Sequence, residues 1–140
     1  MQRTLAILKP DSVEAGSAGR ILARLEQEGF RILALRKTKL SRPQARAFYE
    51  VHAERPFYDS LVEFMTSGPV IAVALEREDA VTGLRALMGA TDPAEAADGT
   101  IRKDFASSIE RNAIHGSDSP ENAAIELSFL FSRSELIGAR

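Results

Sequence analysis

The six residues from Val70 to Leu75 are apolar without interruption, and no other feature of the chain limits its fold as much. A strand with one wet face alternates apolar and polar side chains, so an unbroken run belongs to a strand covered on both faces, mid-sheet. The turn residues Thr66-Ser67-Gly68-Pro69 lead into it. Two neighbours for it stand earlier in the chain. Thr4 to Leu8 is a short apolar run stopped by Lys9-Pro10-Asp11, where proline removes a ladder donor, so a turn follows and Lys9 falls at a strand end. Phe30 to Leu40 passes from Ile32, Leu33, Ala34 and Leu35 to the polar alternation of Arg36, Lys37, Thr38 and Lys39, which reads as a half-buried strand.

Helical spacing accounts for most of the rest. Ala18, Ile21, Leu22 and Leu25 share one face, with Ser17 placed to cap the start and Gly29 the end. Ser41 with Gln44 has the form of a capping box, and Ala45, Phe48, Tyr49 and His52 follow on one face before Pro56. Phe57, Leu61 and Phe64 continue as a second helix. Asp79 is placed to cap a helix whose Ala80, Val81, Leu84, Leu87 and Met88 point inward and which ends at Gly89. Ser119-Pro120-Glu121 opens a short helix. It runs into a last strand, Glu126 to Phe131, with Leu127, Phe129 and Phe131 opposite Glu126. This order matches the split βαβ arrangement, a ferredoxin-like α+β sandwich whose four-stranded antiparallel sheet carries helices on one face. At 140 residues, with no repeat and no linker, the chain is expected to form a single domain, 1–140.

Between Gly89 and Ser119 no periodic segment persists, and so long a stretch inside a compact domain is either functional or disordered. It contains Arg111-Asn112-Ala113-Ile114-His115-Gly116-Ser117-Asp118-Ser119. A lone histidine is more often structural or solvated than reactive, and His52, on a helical face, fits that description. His115 differs because it lies in a loop, with Gly116 allowing close backbone approach and Ser117 supplying a hydroxyl. Other chemistries drop out by composition. The absence of cysteine excludes a thiolate nucleophile and a zinc–thiolate site, and cytoplasm is the expected location. A net charge of −2 gives no overall attraction to a polyanion, so nucleic acid is an unlikely partner. No run approaches the ~20 apolar residues of a membrane span. Neither a G-x-x-x-x-G-K-[ST] string nor a kinase-type glycine loop occurs.

The string N-x-x-H-G-S-D-S from Asn112 to Ser119 resembles the active-site signature of the nucleoside diphosphate kinase family. The similarity extends through T-L-A-I-L-K-P-D at Thr4 to Asp11, E-R-P-F-Y at Glu54 to Tyr58, S-G-P-V at Ser67 to Val70, L-M-G-A-T-D-P at Leu87 to Pro93 and G-T-I-R at Gly99 to Arg102. Such segments in family order and spacing cover nearly the whole chain. The resemblance implies a ping-pong reaction in which His115 takes the γ-phosphoryl group of a nucleoside triphosphate, chiefly ATP, and passes it to a nucleoside diphosphate. It implies Glu126 as the carboxylate on the imidazole, with Tyr49 and Ser117 as polar neighbours. Lys9, Arg85 and Arg102 are implied as phosphate-binding cations, Thr91 as a hydroxyl donor to phosphate, and Asn112 as a ligand of phosphate and sugar. Phe57 is implied as the ring on which the base stacks, with Leu61 and Ile109 closing the slot. Mg²⁺ is expected to arrive on the β and γ oxygens of the nucleotide rather than in a carboxylate cage, and the chain to assemble as a homo-tetramer or homo-hexamer. Each assignment has a plainer competitor: surface charges for the cations, core packing for Tyr49 and Phe57, an exposed strand carboxylate for Glu126. At the level of the whole chain the competitor is a non-catalytic nucleotide-binding regulatory module on the same fold.

Overall fold

The computed structural model describes residues 1–139. Strands β1 (Gln2–Leu8), β2 (Arg31–Thr38), β3 (Val70–Arg77) and β4 (Ile114–Gly116) form one sheet in the order β2-β3-β1-β4, every neighbouring pair antiparallel. The helices are α1 (Pro10–Glu14), α2 (Ala18–Gln27), α3 (Arg42–Phe48), α4 (Tyr58–Met65), α5 (Ala80–Met88), α6 (Ile101–Phe105), α7 (Pro120–Leu130) and α8 (Arg133–Leu136). A 3-10 turn at Glu50–His52 separates α3 from α4. The apolar run of β3 is central and buried from Val70 to Glu76, as its lack of alternation requires.

That same lack of alternation means that helices cover both faces, not one. Along β1, Leu5 and Ile7 pack with Ala45, Val62, Met65 and Leu127 from α3, α4 and α7. Ala6 and Leu8 pack with Ile21, Leu25, Leu84 and Met88 from α2 and α5. β2 is an edge strand, half buried, with a bulge between Ile32 and Ala34.

The segment Glu126–Phe131 is not the last strand. Glu126 to Leu130 is the C-terminal part of α7, in which Ala123, Leu127 and Leu130 are buried at helical spacing while Phe129 is 42% exposed, and Phe131 is its extended C-cap. The fourth strand is Ile114–Gly116, and it pairs with β1 through Ile7 opposite His115. A strand of three residues and a helix of five, α6, are too short to show a period, which is why the region from Gly89 to Ser119 reads as loop. Helix starts divide in a similar way. The capping box of Ser41 with Gln44 is formed, and Ser119 accepts from the Asn122 N–H at 3.0 Å. Asp79 and Ser17 sit at N-cap positions but make no side-chain cap bond. Instead Gln2 Oε1, from β1, accepts the Val81 N–H of α5 at 2.8 Å.

Candidate active site

β4 carries His115 onto the face of the sheet that α7 and the end of α3 cover. The imidazole Nε2 lies 2.8 Å from Glu126 Oε1, and Ser117 Oγ donates to the same oxygen at 2.7 Å. An ionised carboxylate only accepts hydrogen bonds, so Nε2 carries the proton and Nδ1 holds the lone pair. Glu126, from α7, thus fixes the ring in one tautomer, and Ser117, just past the end of β4, holds the carboxylate oxygen that does so. Phe48 packs edge-on against the imidazole, ring centroids 5.4 Å apart, and Tyr49 does so at 6.0 Å. The Tyr49 hydroxyl is buried with no hydrogen-bond partner, and burial followed by the Glu126 charge pushes its proton affinity up, so it remains a neutral phenol. Gly116 lets β4 lie close to α5, because a Cβ there would stand 2.5 Å from Met88 Sδ.

Around this core the chain gathers positive charge. Lys9, at the end of β1, is buried, and burial pushes its ammonium down to about 8, with Arg102 adding to the shift against attraction from Asp11 and Glu110. Arg102 is also buried; desolvation and then Arg85 push it down to about 10, which leaves it a cation at neutral pH. Its guanidinium donates to the carbonyls of Asn112 at 3.3 Å, Gly89 at 3.2 Å and Ile114 at 2.8 Å, so it braces the loop on both sides of Ala113. Arg85, exposed on α5, donates to the Gly116 carbonyl at 3.1 Å. Asn112 donates from Nδ2 to the Thr91 carbonyl, while its Oδ1 is buried and unpaired. Thr91 itself is exposed.

The residues read as a base slot stand apart from this buried cluster. Phe57 is 47% exposed just before α4, Ile109 is 60% exposed, and Leu61 packs partly against the core from α4. His52 links the two regions, stacking on Tyr49 at 6.5 Å and meeting Phe57 at 5.5 Å. Sequence reasoning left out Phe48, although it lies on the same helical stripe as Tyr49, and it left out Asp11 and Ser12, although both follow Lys9. Among the described residues no three His, Cys, Asp or Glu side chains gather as metal ligands. Two of the nearby carboxylates are engaged: Glu126 holds two donors, and Asp11 accepts the Ala113 N–H at 3.1 Å.

A histidine with a free Nδ1, set among buried cations on an α+β sandwich, is the layout of a phosphotransferase that works through its own side chain. Comparison with known proteins makes the class specific. Residues 2–136 match the family model described as nucleoside diphosphate kinase. The nucleoside diphosphate kinase of Campylobacter curvus is 59% identical over 136 residues, covering 97% of this chain and 99% of that protein. That of Desulfosudis oleivorans is 53% identical, covering 99% of each. Among solved structures, the Aquifex aeolicus nucleoside diphosphate kinase matches with a TM-score of 0.95 at 50% identity, over 96% of this chain and 98% of that one. A Halobacterium salinarum nucleoside diphosphate kinase, solved in complex with CDP, matches at 0.92 and 40% identity, over 96% and 90%. The chain belongs to the nucleoside diphosphate kinase family, enzymes that move the γ-phosphoryl group of a nucleoside triphosphate to a nucleoside diphosphate through a phosphohistidine. The reading as a non-catalytic module is set aside.

Proposed function

We propose that His115 is the phosphorylated residue and that Glu126, Ser117, Tyr49, Lys9, Arg85, Thr91, Arg102 and Asn112 serve its reaction. The observation that carries this reading is the pair of hydrogen bonds on one carboxylate oxygen, His115 Nε2 at 2.8 Å and Ser117 Oγ at 2.7 Å, which leaves Nδ1 as the free nucleophile. In the first half-reaction Nδ1 forms a bond to the γ-phosphorus while the bond from phosphorus to the β–γ bridging oxygen breaks, and the diphosphate departs. The Glu126 carboxylate offsets the positive charge that the ring acquires. In the second, a terminal oxygen of the acceptor diphosphate attacks the same phosphorus and the N–P bond breaks, returning Nδ1 to its free state. Transfer asks mainly for charge stabilisation, and Lys9, Arg85 and Arg102 provide it. Arg102 spends three N–H donors on carbonyls and keeps two of the five a guanidinium has. Phe57 stacks the base, with Leu61 and Ile109 beside it.

This donor set fits phosphates rather than a bare metal ion, since Lys9, Arg85 and Arg102 are cations and no three carboxylate or imidazole side chains of the described residues gather. Mg²⁺ therefore rides on the nucleotide's own oxygens, where it neutralises charge on the transferring group. A cytoplasmic location is part of the same reading, supported by the lack of cysteine. Assembly as a homo-tetramer or homo-hexamer is part of the same reading. The open edge of β2, with Leu35 45% exposed, supports self-association, and a monomer by light scattering would overturn it.

The deciding experiment is labelling with γ-radiolabelled ATP. The wild type is expected to take up acid-labile, base-stable label, and His115→Ala to take up none while still binding nucleotide. Undiminished label in the variant refutes the assignment.

A further inference from the structure

Ala113, immediately before β4, is fully buried and has φ +76°, a left-handed conformation that a residue with a Cβ rarely adopts. The Ile114 N–H bonds back to the Asn112 carbonyl at 2.9 Å. An i to i+2 bond with a central φ of this sign makes Asn112-Ala113-Ile114 the strained form of the γ-turn. Such a turn persists only where its surroundings over-determine it. Here they do so from two sides: Arg102 of α6 donates to the Asn112 and Ile114 carbonyls that flank Ala113, and the end of β1 with the first turn of α1 holds Ala113 itself. The Ala113 carbonyl accepts the Lys9 N–H at 2.9 Å and Ser12 Oγ at 2.7 Å, and the Ala113 N–H donates to Asp11 Oδ2 at 3.1 Å. The turn joins the two groups that matter most in the loop: Asn112, its first residue, and His115, the residue that follows its last.

The Asp11 carboxylate is costly where it stands. Its other oxygen, Oδ1, is buried without a hydrogen-bond partner, and burial pushes the carboxyl group's proton affinity up against the pull of backbone N–H donors. A buried polar atom left unpaired calls for an explanation beyond packing. We propose that Asp11 is a positioning residue for phosphoryl transfer: by accepting the Ala113 N–H it holds the strained γ-turn closed, and the turn sets the aim of Asn112 and of the His115 imidazole. The proposal rests on the reading of His115 as nucleophile. It assigns to the K-P-D segment a second task, distinct from the charge of Lys9.

Glycine at position 113 takes φ +76° without strain, so the turn then needs no clamp, and this gives a readout that a purely structural role does not move. Wild type, Asp11→Ala, Asp11→Asn, Ala113→Gly and the double variant Asp11→Ala/Ala113→Gly are compared by single-turnover phosphorylation of His115 with excess Mg-ATP and by thermal melting. Asp11→Ala is expected to slow phosphorylation by roughly 10- to 100-fold, the scale of a small misplacement of reacting groups. Asp11→Asn, which keeps an oxygen acceptor, is expected to retain most of the rate. The double variant is expected to phosphorylate within about twofold of Ala113→Gly alone, a non-additive outcome, since independent sites would carry the whole Asp11→Ala loss into the double variant. A wild-type rate in Asp11→Ala overturns the proposal, and so does a slowed Asp11→Ala that glycine fails to restore. Should Asp11→Ala not fold, the double variant against Ala113→Gly decides, and an unfolded double variant makes Asp11 a folding residue and overturns the proposal. His115→Ala is run alongside. Phosphorylation that persists there refutes the nucleophile itself, whereas a dead His115→Ala beside a full-rate Asp11→Ala refutes only the role of Asp11.

Discussion

Lys9 shows how much a single side chain can reveal about a site before any ligand arrives. A buried lysine charge needs compensation, which Asp11 and Glu110 supply only in part, so that burial and Arg102 together hold its ammonium down to about 8. Between that value and the ordinary 10.5 the unfolded chain binds more protons than the folded one, so the Lys9 contribution to stability rises with pH across the window and is flat below it. The kinetic counterpart has the opposite slope. As the free enzyme loses this proton it loses a charge proposed to bind phosphate, so kcat/KM for ATP is expected to fall above about pH 8. The limb in kcat should lie higher, because bound phosphate raises the pKa of a neighbouring cation. Profiles of both parameters for wild type and Lys9→Arg check this, and a Lys9→Arg profile that keeps the limb near pH 8 assigns it to another group. His115 was legible in the sequence because its neighbours are so unusual for a surface loop. Lys9, Arg85 and Arg102 were legible only together, since any one lysine or arginine reads as solvated. Asp11 and the turn it clamps were not legible, because a left-handed alanine leaves no mark in the residue string.

Elements were read well where their period repeats and poorly where it does not. β1, β2, β3, α2 and α5 follow from runs or stripes of several residues. α7 was divided, because Leu127, Phe129 and Phe131 happen to alternate, and the buried spacing of Ala123, Leu127 and Leu130 competes with that pattern in the same few residues. Displacing the last strand by this misreading also hid β4, whose three residues carry no pattern of their own. The correction has a physical consequence: Glu126 is aimed by a helix, and the start of that helix is set by Ser119, which accepts from the Asn122 N–H, with Pro120 in the first turn. Ser119→Ala is expected to cost about 0.5–2 kcal/mol of stability. It should also lower kcat, because fraying of α7 loosens the Glu126 bond to His115. Denaturant unfolding and steady-state turnover measure the two effects, and unchanged turnover in a destabilised variant would separate the cap from the site.

Taken as a whole, the site proposed for the molecule has two unlike halves: a buried, cationic end around His115 and an open, apolar end at Phe57, Leu61 and Ile109. Apolar contact discriminates poorly between ligands, since rejection depends on leaving polar groups unpaired. Adenine, guanine, cytosine and uracil nucleotides are therefore all expected to react, with differences of about 1–3 kcal/mol at most from stacking. The sugar should matter more: with Lys9 and Asn112 at the buried end, loss of the 3′ hydroxyl is expected to slow transfer and loss of the 2′ hydroxyl to be tolerated. Turnover of the common ribo- and deoxyribonucleoside diphosphates and a 3′-deoxy analogue tests this, and strict dependence on one base would overturn the stacking slot. The openness of that slot reaches beyond the enzyme. In the proposed site one imidazole receives and returns the phosphoryl group in the same place, and the apolar side chains proposed for the base end do not distinguish who gave it from who takes it. Such a catalyst imposes no direction; it brings the triphosphate-to-diphosphate ratio of every base toward a common level. Whatever process keeps ATP charged in the cell thereby keeps the precursors of RNA and DNA charged too, with no separate control for each.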